Sequence, residues 1–156
     1  NAQELQTYAL KAGFTTIAVS RSPDKDRSIR ELGADEIVRD GQGLAALGGA
    51  DVILGTSNSN DAMADSIQGL RPDGRFVLMG YEAKPFPVPP ADAILKRLRI
   101  IGSQQNGTEF LYEALDYAAK GKVKVIVETS RLDEIDKAYD RVAEGKVRFR
   151  AVMTTP

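Results

Sequence analysis

Three residue types are missing from this 156-residue sequence altogether: it has no cysteine, no histidine and no tryptophan. Without cysteine there is no disulfide framework, no thiolate metal ligand, no thiol nucleophile, and nothing that speaks for a redox compartment. Without histidine the commonest general base goes too, with the usual transition-metal ligand and every imidazole-dependent triad. A metal site could be assembled only from carboxylates, which suit Mg²⁺ or Ca²⁺ better than zinc. Nor is charge of either sign in excess. Twenty-one Lys and Arg face 22 Asp and Glu, a net charge of −1, which gives no electrostatic reason to expect nucleic acid or an anionic membrane as partner. No apolar run approaches the ~18 residues of a membrane-crossing helix. Residues 1–7 are polar and lack the apolar centre of a signal peptide, so a cytoplasmic location is expected. These residues are poorly equipped for acid–base chemistry, and none is expected to be catalytic or to hold a metal.

What is present is ordinary globular stock, 42% hydrophobic and 28% charged. A chain this long folds as roughly one domain, and can bury about 70% of its unfolded surface without staples. Along it, short apolar runs alternate with helical periodicity. Leu5, Tyr8, Ala9 and Ala12 share a helix face that Gly13 can stop. Residues 15–20 (TTIAVS) are β-branched and apolar, a buried strand. Ser22 and Pro23 read as the N-cap and first position of a helix carrying Ile29 and Leu32 and closed by Gly33. Residues 36–38 make a short strand, 41–49 a glycine-rich connection or short helix, and 51–55 (DVILG) a second buried strand.

Residues 57–60 (SNSN) cap a helix with Met63, Ala64 and Ile67 inward, and Arg71-Pro72-Asp73-Gly74 has the proline and glycine of a type I turn. Residues 75–80 (RFVLMG) are a third buried strand. The prolines at 85, 87, 89 and 90 keep 84–90 at an edge or surface. A helical turn at 94–98, a strand at 99–103 (RIIGS), a helix through Phe110, Leu111, Ala114, Leu115 and Ala118, and a strand at 123–128 follow. A helix face through Leu132, Ile135, Ala138, Tyr139 and Val142 leads to a last strand at 148–153. Continuous apolar strands alternating with helices predict an α/β, doubly wound parallel sheet with both faces covered.

Such sheets bind ligands at the carboxyl ends of their strands. After TTIAVS come Ser20, Arg21, Ser22, Pro23, Asp24 and Lys25. In a nicotinamide-binding domain, an acid ending this strand accepts from a ribose hydroxyl, whereas Arg with hydroxyls accommodates a 2′-phosphate. Here a hydroxyl stands in the acid's place and two cations follow, one of them able to fork onto phosphate oxygens. The same residues also read as a solvated strand-to-helix turn. One expected motif is absent: there is no glycine-rich turn joining a first strand to a first helix. In a 3-2-1-4-5-6 sheet that first strand is central. Its lack predicts two half-sheets without a spine, in a chain that is a fragment or has the slot filled otherwise.

The segments YALKAGFTTIAVSRSPDK, ELGADEIV, GADVILGTSNS, RPDGRFVLMG, KRLRIIGS and AEGKVRFRAV, taken in order, span nearly the whole chain. Together they resemble the medium-chain, zinc-type alcohol dehydrogenases, specifically the cinnamyl-alcohol-dehydrogenase-like and bacterial NADP-dependent branch, over the second half of such an enzyme. The resemblance implies a Rossmann-like coenzyme domain, residues 1–128, lacking its first strand and glycine-rich turn. It also implies a return segment, 129–156, that packs on a catalytic domain not in this chain. The implied cofactor is NADP in preference to NAD, and the implied reaction is hydride transfer between nicotinamide and an alcohol or aldehyde. Ser20, Arg21, Ser22 and Lys25 match the 2′-phosphate pocket, and Thr56 and Ser57 the strand end beneath the ribose. Tyr81, Ser103 and Gln105 match positions that hold the carboxamide, and Arg150 the arginine that reaches the pyrophosphate. Arg148 and Arg150 also read as one exposed face of an edge strand. The family's zinc is held by Cys and His residues that this chain lacks, so the chain alone is not expected to catalyse. A stand-alone dinucleotide-binding module without catalysis, or a structural module, is the alternative. Pairing of two copies through the edge strand from Arg99 to Ser103 is implied as well, giving a C₂ dimer with charge at Arg97 and Arg99 beside it.

Overall fold

The computed structural model describes residue 9 and residues 12–104, 107–122, 126–144, 146–147 and 150–155. Among them, seven short strands, each parallel to its neighbour, form three separate sheets. Strand β1 (Ile17–Val19) pairs with β2 (Glu36–Val38), Val19 standing opposite Val38. Strands β3 (Ala50–Gly55), β4 (Leu70–Leu78) and β5 (Arg99–Gly102) pair in that order, with Ile53 opposite Phe76 and Phe76 opposite Ile100. Strand β6 (Glu128–Arg131) pairs with β7 (Ala151–Thr154). No ladder joins β1 to β3. These are the two half-sheets without a spine that a missing first strand implies.

The connections explain how the halves stay together. After β1, Ser22 is extended (φ −100°, ψ 103°) and Pro23 opens a 3₁₀ turn, Pro23–Lys25, that runs into helix α1 (Asp26–Glu31). Proline's fixed φ suits this first position. The Ser22 side chain makes no capping hydrogen bond. Helix α2 (Gly41–Ala46) is capped by Asp40, whose carboxylate accepts from the Gly43 amide at 2.7 Å. It packs on β1, on β2 and on the 3₁₀ turn Ile67–Gly69. Its Leu44 is buried against Gly69, where a Cβ would collide with the leucine. One apolar side chain thus ties the two half-sheets across the unbridged gap.

The core belongs to the three-stranded sheet. Helix α3 (Asn60–Ser66) starts from Ser59, whose hydroxyl accepts from the Ala62 amide. It buries Met63, with Ile67 just beyond, against Leu70 and Phe76. Ile53, Leu78, Phe86, Val88 and Leu98 pack around them. Fully burying such a side chain contributes about 1.5–3 kcal/mol. The proline-rich arm alternates: its prolines are exposed, while Phe86 and Val88 turn inward, Phe86 tilted on Phe76 at 5.7 Å.

Four sequence expectations need correction. Residues 71–74, expected as a type I turn, lie inside β4, where the register with β3 slips between Ala50–Leu70 and Val52–Arg75 and Asp73 has φ 62°, a value that neither central position of a type I turn takes. Arg97, itself at φ 51°, grips Asp73 through two hydrogen bonds of 2.8 and 2.6 Å. The helical turn expected at 94–98 begins earlier, as α4 (Pro90–Leu95), because Pro90 supplies a preformed start. The three-stranded sheet is covered on one face only. Val52, Leu54 and Ile101 on the other are 49%, 41% and 43% exposed. Helix α5 (Thr108–Ala119), with Phe110, Leu111 and Leu115 on it, buries none of its residues. With β1 and β3 unjoined, a covering helix finds no continuous second face to pack on. The strand expected at 123–128 is β6, which starts at Glu128; residues 123–125 lie outside the described residues. Helix α6 (Ile135–Ala143) buries only Ala138.

Candidate functional site

The predicted binding residues fall into three groups set by strand ends. The first is the turn after β1. Ser20 continues the ladder, its amide donating to the Val38 carbonyl at 2.9 Å, and the chain then leaves the sheet through Arg21, Ser22 and Lys25. Arg39, just after β2, crosses the top of this half-sheet. Its Nη1 donates to the Ser20 carbonyl at 2.9 Å and to Asp26 Oδ1 at 2.8 Å, and its Nη2 to Asp26 Oδ2 at 2.5 Å. Those guanidinium hydrogen bonds hold the Asp26 carboxyl below its ordinary range and raise Arg39. Arg27 is paired with Glu31 at 2.9 Å. Among the described residues, the Arg21 and Lys25 side chains engage no carboxylate. The turn presents two cations with nothing spent on them.

The second group lies at the ends of β3, β4 and β5. Tyr81 and Ser103 line an open hollow of about 410 Å³ together with Leu78, Met79, Gly80, Gly102 and Gln104. The Ser103 amide donates to the Leu78 carbonyl at 2.8 Å, which carries the β4–β5 ladder one step past the strands. Tyr81 is 81% exposed. Thr56 and Ser57, at the end of β3, flank the same region: Gly80 lies so close to their carbonyls that a Cβ there would collide with Ser57. The Met79 and Gly80 amides both donate to the Gly55 carbonyl at 2.9 Å. Gln105 lies outside the described residues. Arg150, the third group, heads β7 in a different sheet, its carbonyl accepting from the Glu128 amide at 2.9 Å; Arg148 lies outside the described residues.

Sequence reasoning missed Asn60. It is 3% exposed and faces the loop that carries Tyr81. Its amide nitrogen Nδ2 donates to the carbonyls of Glu82, Lys84 and Pro85 at 3.2, 2.6 and 3.4 Å, and its Oδ1 accepts from the Glu82 amide at 3.0 Å. Lys84 adds ion pairs of 3.1 Å to Asp61 and Glu82, which raise its pKa. The backbone on either side of Tyr81 is therefore held, by the Gly80 contact before it and by the Asn60 clamp after it. One of two Asn among the capping residues 57–60 gives no sequence signal for this.

A second oversight is instructive. Gly41-Gln42-Gly43-Leu44-Ala45-Ala46 is the looser form of the dinucleotide fingerprint, with alanine in third place, and it forms α2 itself, directly after β2. Its amides are already taken. Gly41 N–H donates to Asp65 Oδ2 at 2.9 Å and Gly43 N–H to Asp40. Two carboxylates occupy the places a pyrophosphate would need.

Residues 5–120 match the family model described as zinc-binding dehydrogenase. The chain is 34% identical over 152 residues to an alcohol dehydrogenase of Geobacillus stearothermophilus, covering 94% of this chain and 45% of that one. It is 32% identical over 145 residues to cinnamyl alcohol dehydrogenase 2 of Arabidopsis thaliana, covering 90% and 39%. The crystal structure of the alcohol dehydrogenase from Aeropyrum pernix superimposes with a TM-score of 0.84 at 28% identity, covering 94% of this chain and 45% of that one. The chain spans about half the length of the curated relatives it matches, or less.

Proposed function

Because this chain belongs to the zinc-binding dehydrogenase family, we propose that it is the NADP(H)-recognising portion of an alcohol dehydrogenase or aldehyde reductase and does not catalyse alone. The observation that carries this reading is the turn after β1, where, among the described residues, Arg21 and Lys25 engage no carboxylate, Ser20 and Ser22 share the same turn, and no acid occupies the strand end. Charged hydrogen-bond donors left without partners suit a phosphate. In this reading Tyr81, Ser103 and Gln105 hold the nicotinamide carboxamide, Thr56 and Ser57 underlie the ribose, and Arg150 reaches the pyrophosphate. The hollow between β4 and β5 and the close approach of Gly80 fit a flat ring there. The nicotinamide supplies hydride chemistry, and the chain supplies orientation. Zinc does not fit this chain. It has neither Cys nor His, and no acidic cluster of metal-binding size occurs among the described residues.

The same reading makes 1–128 the coenzyme domain and 129–156 a return segment, in keeping with the separate β6–β7 sheet. It includes a cytoplasmic location and a C₂ homodimer through the outer edge of β5, where Ile100 and Ile101 are exposed. Arg97 is committed to Asp73 and so does not guard that edge with free charge.

Coenzyme kinetics of the enzyme that carries this segment test the reading. It should prefer NADP, and Arg21→Ala should cost about 1.5–3 kcal/mol of NADP discrimination, the scale of a hydrogen bond to a charged group. Equal use of NAD by the unaltered enzyme overturns it. The coding sequence upstream separates enzyme from module: a glycine-rich turn and a Cys/His set there support the enzyme, and a start near Gln3 sinks it.

A further inference from the structure

Charge at the turn after β1 is distributed unevenly, and Arg39 is the reason. Two carboxylates border the turn, Asp24 within it and Asp26 at the start of α1. Among the described residues, the Arg21 and Lys25 side chains in the turn engage no carboxylate. Arg30, on α1, donates only to the Asp35 carbonyl and acts on Asp26 through space; were Asp26 bare, its charge would still cut the positive surplus that an incoming dianion meets. Arg39 prevents this by forking onto both Asp26 oxygens while holding the Ser20 carbonyl. Both members of the pair are substantially exposed, so the interaction contributes little to stability as an isolated surface pair. Its effect falls on the local field instead.

We propose that Arg39 is a specificity-determining residue that acts through Asp26, cancelling its charge so that the turn carries a positive surplus toward a ribose 2′-phosphate. This rests on the reading of the turn as a 2′-phosphate pocket. The phosphate meets Arg21 and Lys25, while Arg39 stays on Asp26 behind them. The distinguishing consequence is a rescue. Removing Arg39 uncovers a carboxylate, and neutralising that carboxylate restores what was lost.

The experiment is an amide NMR titration of the 156-residue chain with 2′,5′-ADP and, separately, with 5′-AMP. The readout is the ratio of the two dissociation constants. The unaltered chain should favour 2′,5′-ADP. Arg39→Ala should reduce that preference several-fold, and Arg39→Ala with Asp26→Asn should recover most of it. Asp26→Asn alone, which frees a guanidinium, should increase the preference, and it decides the matter if Arg39→Ala fails to fold. An Arg39→Ala chain with the original preference overturns the proposal. So does a double variant no better than Arg39→Ala, which would make Arg39 a structural brace or a direct phosphate ligand, and so does a weakened Asp26→Asn. An unaltered chain without any preference removes the pocket itself and this proposal with it, a failure visible before any variant is made.

Discussion

The three-stranded sheet and the β1–β2 half-sheet share one topology and differ in what holds them. The first surrounds Phe76, Ile67, Met63 and Leu70, all nearly or wholly inaccessible, and is braced by the Phe86 arm. The second has three-residue strands, a helix α1 with no buried residue, and a crossing arginine for a clasp. Apolar burial dominates folding, so stability concentrates in the first region. The second is left with polar and charged groups that the core does not need. Segments with few buried apolar contacts lie at the low end of local stability, where ligand-binding elements are drawn from.

Deleting core side chains should break this comparison most visibly. Phe76→Ala is expected to lower unfolding free energy by about 3–5 kcal/mol, measured by urea denaturation. Val38→Ala, the corresponding deletion in the half-sheet, is expected to cost less, and equal losses would erase the distinction. Asn60→Ala should cost about 1–3 kcal/mol, since three carbonyls and an amide lose their partner. Limited proteolysis should then cut within residues 80–90, and an unchanged cleavage pattern would mean that the clamp does not fix that loop.

Acid sharpens the comparison least. The Arg97 hydrogen bonds hold Asp73 below its ordinary pKa of 3.8 in the sheet, as Arg39 holds Asp26 in the half-sheet. A depressed folded-state pKa gives stability that is present above the unfolded value and lost as pH falls below it. Both pairs should therefore weaken only below about pH 4. Asp73→Asn should flatten that part of the stability profile, and a loss already evident near neutrality would contradict it.

Strand positions were legible because β-branched runs sit between glycines and caps, as in DVILG and RFVLMG. Helix α3 was legible in its Ser59 cap and the spacing of Met63 and Ile67. The split between β1 and β3 followed from counting strands against a known sheet order. The open second face did not, since an apolar helix such as α5 reads identically whether or not it finds a surface. Asp73 escaped because Pro72 and Gly74 stand where a type I turn prefers them, and no local pattern announces an irregularity inside a strand. Ser20, Arg21, Ser22 and Lys25 fall within six residues of one another, so the sequence groups them as one proposed pocket without help from the fold. The Arg39–Asp26 clasp and the Asn60 clamp join residues 13 and 22–25 positions apart, and no local pattern announces them.

The most direct test of the central claim, that the chain recognises a 2′-phosphorylated nicotinamide dinucleotide at its strand ends, is an amide-resolved NMR titration with NADPH. Binding is expected to be weak, because Asp40 and Asp65 occupy the only Gly-x-Gly amides a pyrophosphate could use. The perturbed amides are nevertheless expected to cluster at Ser20, Arg21, Ser22 and Lys25, and at Tyr81 and Ser103. Perturbation centred instead on Gly41 and Gly43, or no perturbation at millimolar NADPH, would contradict the account.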